Sequence, residues 1–333
     1  MSDGIDVHGH GVPQQFLEEV KRTRLGGVDV APADKGGYIV TFPGCKPLRP
    51  AAGIMLDFTN RLGWLDGQGM QHQLIGPWLD VHGQELPAAD GQVWVRQLND
   101  AMIESIAASG RRLLAHATLH LADPQAAARE LERCVKKLGM NGCMIATNLP
   151  KGELHESRYD ALWEAAQSLG VPVVLHPLMD GPAACMFQQT PRFKNVYGRT
   201  IDTTITAAQL ILAGVFERYP KLKLVLVHGG GFLPYQSDRL DREFGEKGKK
   251  LPSDYMKQLY YDTVNMSAPA LQMLFSLVGT GQVMIGSDYA AGPVERPGPK
   301  LTDALNATGV DAGARRKIVR ETAESVFRTA GGR

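Results

Sequence analysis

The sequence predicts an α/β protein built as a (β/α)8 barrel, and three observations predict it. Eight short apolar runs, most of them rich in β-branched residues, recur along the 333 residues: IDVHGH, MQHQLIGPW, RLLAHATLHL, NGCMIAT, VPVVLHP, LKLVLVH, LYYDTVNMS and VMIGSDY. From about residue 90, segments with helical spacing alternate with these runs, which is the pattern of βαβ units around a buried parallel sheet. Histidines and an aspartate stand at the C-terminal ends of several runs, the end at which such barrels carry their sites. Barrels of this class often use 250 residues or more as one domain, so residues 1–333 read as a single unit.

The elements follow in order. IDVHGH is the first strand. Residues 21–69, rich in Gly and Pro with one strand-like run from Tyr38 to Phe42, read as an insertion before the second strand, a small hairpin layer. Trp94, Leu98, Met102 and Ile106 fall at helical spacing. Asp123-Pro124 gives an N-cap followed by proline at the first helical position, and the helix stops at Gly139. Ser157 is placed to cap a helix that buries Leu162, Ala165 and Leu169 and ends at Gly170. Further helices are expected over 202–218, after Pro234, over 268–278 and from Asp311 to Phe327. Residues 177–200 form a long loop directly after the fifth strand, and loops of that length in compact domains are usually lids or binding loops.

Composition bounds the partners. The chain is 44% hydrophobic and 21% charged with a net charge of +1, which suits a soluble globular protein and gives no reason to expect nucleic acid or an acidic membrane. No apolar stretch approaches the roughly 18–20 residues needed to span a bilayer. The N-terminus lacks the basic and apolar regions of a signal peptide. Cys45, Cys134, Cys143 and Cys185 are scattered without a C-x-x-C pair, as expected of reduced thiols in a cytoplasmic protein.

The chemistry concentrates at strand ends. Residues two apart in a strand share a face, so His8 and His10 present two imidazoles together. His176 and Asp288 end later strands and converge with them only if the strands curve into a barrel. Three imidazoles and a carboxylate with room for water make a catalytic metal site. Ser287-Asp288 could alternatively cap a helix, but its place after VMIG favours the site. His228 opens HGGGFLPY at another strand end. It can be a further ligand, a ligand to a second metal or a proton-transfer group. Trp78 follows the second strand and can line the pocket, whereas Trp64, Trp94 and Trp163 read as packing. His72, His82, His116, His120 and His155 read as surface or satisfied core imidazoles, with His116 notable for lying in a strand.

Taken with IDVHGH, LHP around His176, GVFERYPKLKLVLVHGGGF at 214–232, Arg239, IGSDY around Asp288 and ELERCVKKLG at 130–139, the chain resembles the amidohydrolase superfamily. Within it, the resemblance is to the branch of aminocarboxymuconate-semialdehyde decarboxylase and its aromatic-acid decarboxylase relatives. It covers nearly the whole chain and implies metal ligation by His8, His10, His176 and Asp288, with Zn²⁺ the expected ion and Mn²⁺ an alternative. It implies that His228 is the acid/base beside the metal-bound water. It implies that Arg239 binds a substrate carboxylate, in relatives across a dimer interface; the other reading of Arg239 is a surface partner of a neighbouring helical acid. Arg49 is the nearest match to the family's first substrate-binding arginine. No lysine lies near NGCMIAT, where binuclear relatives carry a bridging one, so a single ion is expected.

The chain departs from that decarboxylase after strand 5. Where tryptophans are expected, Arg192, Phe193, Asn195 and Tyr197 stand, with Arg199 just beyond. These changes imply a different carboxylated aromatic or a ring-cleavage product as substrate. The expected activity is therefore non-oxidative decarboxylation of a small aromatic or muconate-type acid by a homodimer or higher homo-oligomer. The alternative is a hydrolase or hydratase of a lactone, amide or ring-cleavage product, with Asp288 taking a proton from the attacking water. The ligands alone serve either.

Overall fold

All eight apolar runs become parallel strands of one ring. The structure, a computed structural model, describes residues 3–264, 266–291 and 300–327. Its strands are β1 (Gly4–Gly11), β2 (Asp29–Pro32), β3 (Tyr38–Thr41), β4 (Met70–Pro77), β5 (Leu113–Ala115), β6 (Cys143–Ala146), β7 (Pro172–His176), β8 (Lys223–Leu226), β9 (Tyr260–Asp262) and β10 (Val283–Met284). Two sheets, β1-β4-β5 and β10-β9-β8-β7-β6, form the wall. Backbone bonds bridge both seams. Ala117 pairs with Cys143, its N–H donating to the Gly142 carbonyl at 2.8 Å, and Gly9 pairs with Tyr289. On that second seam the Val7 N–H donates to Ile285 (2.9 Å) and the Asp288 N–H to the His8 carbonyl (2.8 Å).

The interior of the ring is apolar at its N-terminal end. Ile5, Val7, Leu114, Met144, Val174 and Val225 pack there with Val326 and Phe327 from the chain's last described turn. The larger core lies between the strands and the outer helices, where Trp163, Leu131, Leu162 and Phe216 are buried. With the barrel floor filled, the polar strand ends at the opposite face are left to build a site.

The insertion is a layer of its own. β2 and β3 pair antiparallel, Val30 opposite Val40, and their apolar side packs with Phe16, Val20, Trp94 and Met55. Two short helices, Gly53–Leu56 and Asn60–Gln68, lead back to β4.

The helices fall where the spacing puts them, with local differences. Asp123 caps Pro124–Lys137 by accepting from the Ala126 N–H (3.0 Å), and Asp311 caps the last helical segment in the same way. Ser157 caps nothing; it opens a 3-10 turn whose preceding residue is Glu156. The expected 202–218 helix is two, Arg199–Leu212 and Val215–Arg218, broken at Gly214 with φ 72°. The 177–200 loop is ordered as short helical turns over Pro182–Cys185, Pro191–Phe193 and Lys194–Gly198. Of the scattered histidines, His82, His116 and His120 are buried, which corrects any surface reading of them. Among the described residues no helix is long and apolar enough to cross a membrane.

Candidate metal centre

β1 aims two imidazoles at the barrel axis because it is irregular. Its register against β4 slips between Asp6 and Gly9: three residues of β1 span the length of two in β4, Gln73 to Ile75. A bulge of this kind re-aims side chains and is common beside active sites. Val7 therefore joins the apolar interior, yet His8 and His10 both reach the centre, their Nε2 atoms 3.1 Å apart.

His176 ends β7, His228 follows β8, and Asp288 lies just beyond β10. One donor atom from each of His8, His176, His228 and Asp288 lies within 4.8 Å of all the others. His10 belongs to the same constellation, its Nε2 3.0 Å from Asp288 Oδ1, while His8 Nε2 is 3.4 Å from that oxygen. His228 Nε2 stands further off, 3.7 Å from Asp288 Oδ2, and its side chain is 12% exposed where those of His8 and His10 are at most 1%. Both His228 and Asp288 hold left-handed backbone, with φ 55° and 56°. For non-glycine residues such geometry is uncommon and collects at functional sites.

The second atoms of the rings fix their tautomers. His8 Nδ1 is 2.7 Å from Asp262 Oδ2, so that nitrogen donates and leaves the Nε2 lone pair facing the centre. His176 Nδ1 donates to the Pro177 carbonyl (2.9 Å), with the same result. Carboxylate or carbonyl support of this kind is the usual outer shell of a metal-binding histidine. Asp262 also accepts from the N–H groups of Gly229 (3.1 Å) and Val264 (3.2 Å), tying the HGGG turn to His8.

Electrostatics act differently on the separate donors: burial would lower His8, but Asp288, Asp262 and Asp6 outweigh it and raise its imidazole above the ordinary range, whereas the other groups shift toward the forms a cation needs. Burial is the largest effect on His10 and pushes its imidazole down to about 4 despite Asp288. Burial also holds His176 well below the ordinary range, and the neighbouring cationic groups add to it. Burial lowers His228 too, with Asp288 pulling the other way. Asp288 would be pushed up by burial, but His8, His10 and His228 together hold it well below the usual carboxylate range. In the neutral tautomer with Nδ1 donating to Asp262, the His8 Nε2 lone pair repels Asp288 Oδ1, which lies 3.4 Å away and is buried without a hydrogen-bond donor of good geometry. A divalent cation among them resolves that repulsion, and three nitrogens with a carboxylate suit Zn²⁺ or Mn²⁺. The chain carries a divalent metal site.

A buried network lies behind it. Asp6 accepts from the His8 N–H (3.1 Å), from Gln73 Nε2 (2.6 Å) and from the Ser287 hydroxyl (2.5 Å). Burial raises its carboxyl to about 6 against those bonds. Ser287 is thus engaged with Asp6 and not with a helix. Arg61, from the insertion, donates to Gln73 Oε1 (3.1 Å) and to the His10 carbonyl (2.5 Å).

The expected substrate-binding residues divide into two groups. Trp78 packs edge-on against His10 with ring centroids 5.1 Å apart, and its Nε1 donates to Asp80 (2.9 Å). The Arg49 guanidinium lies 4.6 Å above the Trp78 ring. Arg49 and Asp80 line a cavity of about 790 Å3 together with Asn148, Leu178 and Lys194, formed by the insertion and the loops after β4, β6 and β7. Phe193 and Tyr197 instead pack on each other and on Phe187 at the surface, 44% and 43% exposed. Arg192 and Arg239 are exposed as well, Arg239 on the helix Ser237–Phe244. Asp6 and Arg61 carry no sequence cue as site residues; for Asp262 a strand-end aspartate in YYD is the one local signal, and Arg199 is placed by the sequence only just beyond the changed substrate segment.

Comparison with known proteins gives the class. An amidohydrolase family model matches residues 79–329, and the chain belongs to that family. Among its curated relatives is gamma-resorcylate decarboxylase of Polaromonas sp., 28% identical over 252 residues, covering 70% of this chain and 76% of the relative. Another is 2-amino-3-carboxymuconate-6-semialdehyde decarboxylase of Dictyostelium discoideum, 26% identical over 296 residues, 86% of this chain and 81% of the relative. The fold is shared with a dihydroxybenzoic acid decarboxylase from Polaromonas sp. solved with manganese and 2-nitroresorcinol. Its TM-score is 0.81 at 23% identity, covering 98% of this chain and 97% of that one.

Proposed function

We propose that this chain is a metal-dependent, non-oxidative decarboxylase of a small aromatic or unsaturated carboxylic acid. The observation that carries the reading is the convergence of His8, His10, His176, His228 and Asp288 at the C-terminal end of the barrel, in a chain that has decarboxylases of such acids among its curated relatives, alongside a 2-keto-4-carboxy-3-hexenedioate hydratase of Sphingobium sp. that is 28% identical over 174 residues. His8, His10, His176 and Asp288 are the ligands in this reading, and Zn²⁺ or Mn²⁺ the ion. A bound divalent cation supplies a fixed positive charge that orients the substrate's oxygen atoms and stabilises charge on them.

His228 is the proton donor. It is the most exposed of the clustered imidazoles, and its Nε2 lies 3.7 Å from Asp288 Oδ2, as suits a group facing substrate. Burial lowers the pKa of its free imidazole, so it takes up a proton once the anionic substrate is bound and passes it to the carbon that bears the carboxylate. That carbon becomes tetrahedral, the C–C bond breaks, its electron pair returns to the ring or enamine, and CO2 leaves. The net reaction consumes one proton, which His228 regains from solvent. Asp288 stays ionised and holds the imidazoles in place. Trp78 and Arg49 are the substrate-binding residues beside the cluster in this reading, and Arg192, Phe193 and Tyr197 would reach substrate from the exposed loop after β7.

Arg239 is exposed on its helix in the single chain, and we assign it to the site of a second copy in a homodimer. Size-exclusion chromatography with light scattering reads that assembly. The hydrolase or hydratase alternative uses the same ligands. Metal content and CO2 release, measured together on a panel of hydroxylated and amino-substituted aromatic acids and muconate-type acids, decide between them. About one ion per chain with CO2 from any member supports decarboxylation. One ion with hydrated or ring-opened products and no CO2 overturns it.

A further inference from the structure

Arg199 is a cation buried against the imidazoles of the metal cluster and, unlike Arg61, which is engaged by Gln73 and the His10 carbonyl, it has no role in the proposed ligand set. It opens the helix Arg199–Leu212, is 4% exposed, and places Nη2 3.5 Å from His176 Nε2. Its Nη1 donates to Asn195 Oδ1 (2.9 Å). Its Nε is buried without a partner, and among the described residues the guanidinium forms no ion pair. The nearest carboxylates that act on it are those of Asp288 and Asp80, while Arg49 opposes them.

That arrangement is unstable once a cation is present. The His176 Nδ1 proton is committed to the Pro177 carbonyl, so Nε2 has one lone pair, and it can serve Arg199 or a metal but not both. Metal binding therefore frees Nη2. A buried guanidinium with donors on Nε and Nη2 is then left beside a divalent ion. Like charges at such separation in a poorly solvated site repel strongly. An anionic oxygen bridging the two cations relieves the repulsion and fills the vacant donors, and guanidinium matches carboxylate or phenolate geometry through paired N–H groups.

We propose that Arg199 is a substrate-binding residue: its Nε and Nη2 receive an anionic oxygen of the substrate that also faces the metal. The inference rests on the metal-site part of the proposed function and not on CO2 loss. It deepens the reading by requiring a substrate whose anionic group enters between His176 and Arg199.

The test compares wild type, Arg199→Met and Arg199→Lys as full-length protein loaded with Mn²⁺. Calorimetry measures binding of 2-hydroxybenzoate and of its uncharged analogue 2-hydroxybenzamide, and water-proton relaxation measures Mn²⁺ affinity without ligand. In Arg199→Met, 2-hydroxybenzoate affinity should fall by about tenfold or more, as for loss of a charge-assisted bond. 2-hydroxybenzamide affinity should change by less than about threefold, because it carries no charge to lose. Mn²⁺ should bind Arg199→Met more tightly than wild type, since the competitor for His176 and the repulsion are both gone. Arg199→Lys should keep part of the preference for the anion. Unchanged binding of 2-hydroxybenzoate to Arg199→Met overturns the proposal. So does a wild type that does not prefer the anion, or loss of Mn²⁺ from both variants, which would make Arg199 a support for His176. A wild type with these binding properties that releases no CO2 from any acid would sink the decarboxylase reading and leave this one standing.

Discussion

Replacing Asp262 with asparagine changes one charge and two hydrogens at a fully buried site, and the structure says which bond suffers. The carboxylate accepts three hydrogen bonds: from Gly229 N–H, from Val264 N–H and from His8 Nδ1. Asparagine can keep the first two with its carbonyl oxygen. Its amide then turns a donor toward His8 Nδ1, which must give up its proton. The proton moves to Nε2, the atom 3.1 Å from His10 Nε2 and 3.4 Å from Asp288 Oδ1, and the lone pair intended for the metal is lost. The opposite amide orientation keeps the His8 tautomer but points a donor at two backbone N–H groups. Outer-shell partners of this kind are worth about 10–100-fold in metal affinity or activity, or about 1.4–2.8 kcal/mol. Competition for Zn²⁺ and Mn²⁺ against a chromophoric chelator measures it directly. Asp262→Asn should weaken binding of either ion within that range while melting near wild type when metal is saturating. An affinity within about threefold of wild type would refute the tautomer argument, because a supporting carboxylate is expected to matter by at least tenfold.

Four further outcomes are expected. His228→Asn, chosen because asparagine tolerates the φ of 55° better than most residues, should abolish CO2 release while mass spectrometry still finds about one metal per chain. Stripping metal with a chelator should lower the melting temperature and readdition of Mn²⁺ should restore it, by about 2.7 kcal/mol of stabilisation at a hundredfold excess over Kd. Phe327→Ala should cost about 3–5 kcal/mol in denaturant unfolding, because Phe327 is 3% exposed in the barrel floor. Gly142→Ala should reduce soluble yield or melting temperature sharply: its φ is 102° and an added Cβ would lie 2.2 Å from the carbonyl oxygen of Pro172, which opens β7.

The strand ends were legible because each carries its own local signal. An apolar β-branched run marks the strand, and a His or Asp closing it marks the face. His8, His10, His176 and Asp288 could be paired on that basis alone, although they are scattered over 280 residues of chain. Strict alternation explained why His8 and His10 share a face, but the bulge that sends Val7 inward and both histidines to the centre leaves no mark in IDVHGH. The β2–β3 hairpin was half visible for a similar reason. Tyr38–Thr41 has β-forming residues, whereas Asp29–Pro32 contains two residues that strands disfavour.

The residues that escaped are those whose meaning is relational. Asp262 matters through His8, 254 positions away in sequence. Arg61 lies in a Gly-rich insertion with no strand-end cue, yet it crosses to the His10 carbonyl. Arg199 looks like one more basic residue in a charged loop, and only the packed barrel shows that its helix begins inside the site wall. The sequence pattern locates a centre when each ligand is announced by its own element. It cannot locate the groups that set the ligands' tautomers, or a cation that must share their space, because those depend on which strands become neighbours. Arg199, Asp80, Arg49 and Trp78 belong to that second set: Asp80 and Arg49 act electrostatically on Arg199, and the Arg49 guanidinium lies over the Trp78 ring. For that reason, a substitution at His8 should act through the metal, whereas substitutions at Arg199 should separate anion binding from metal binding.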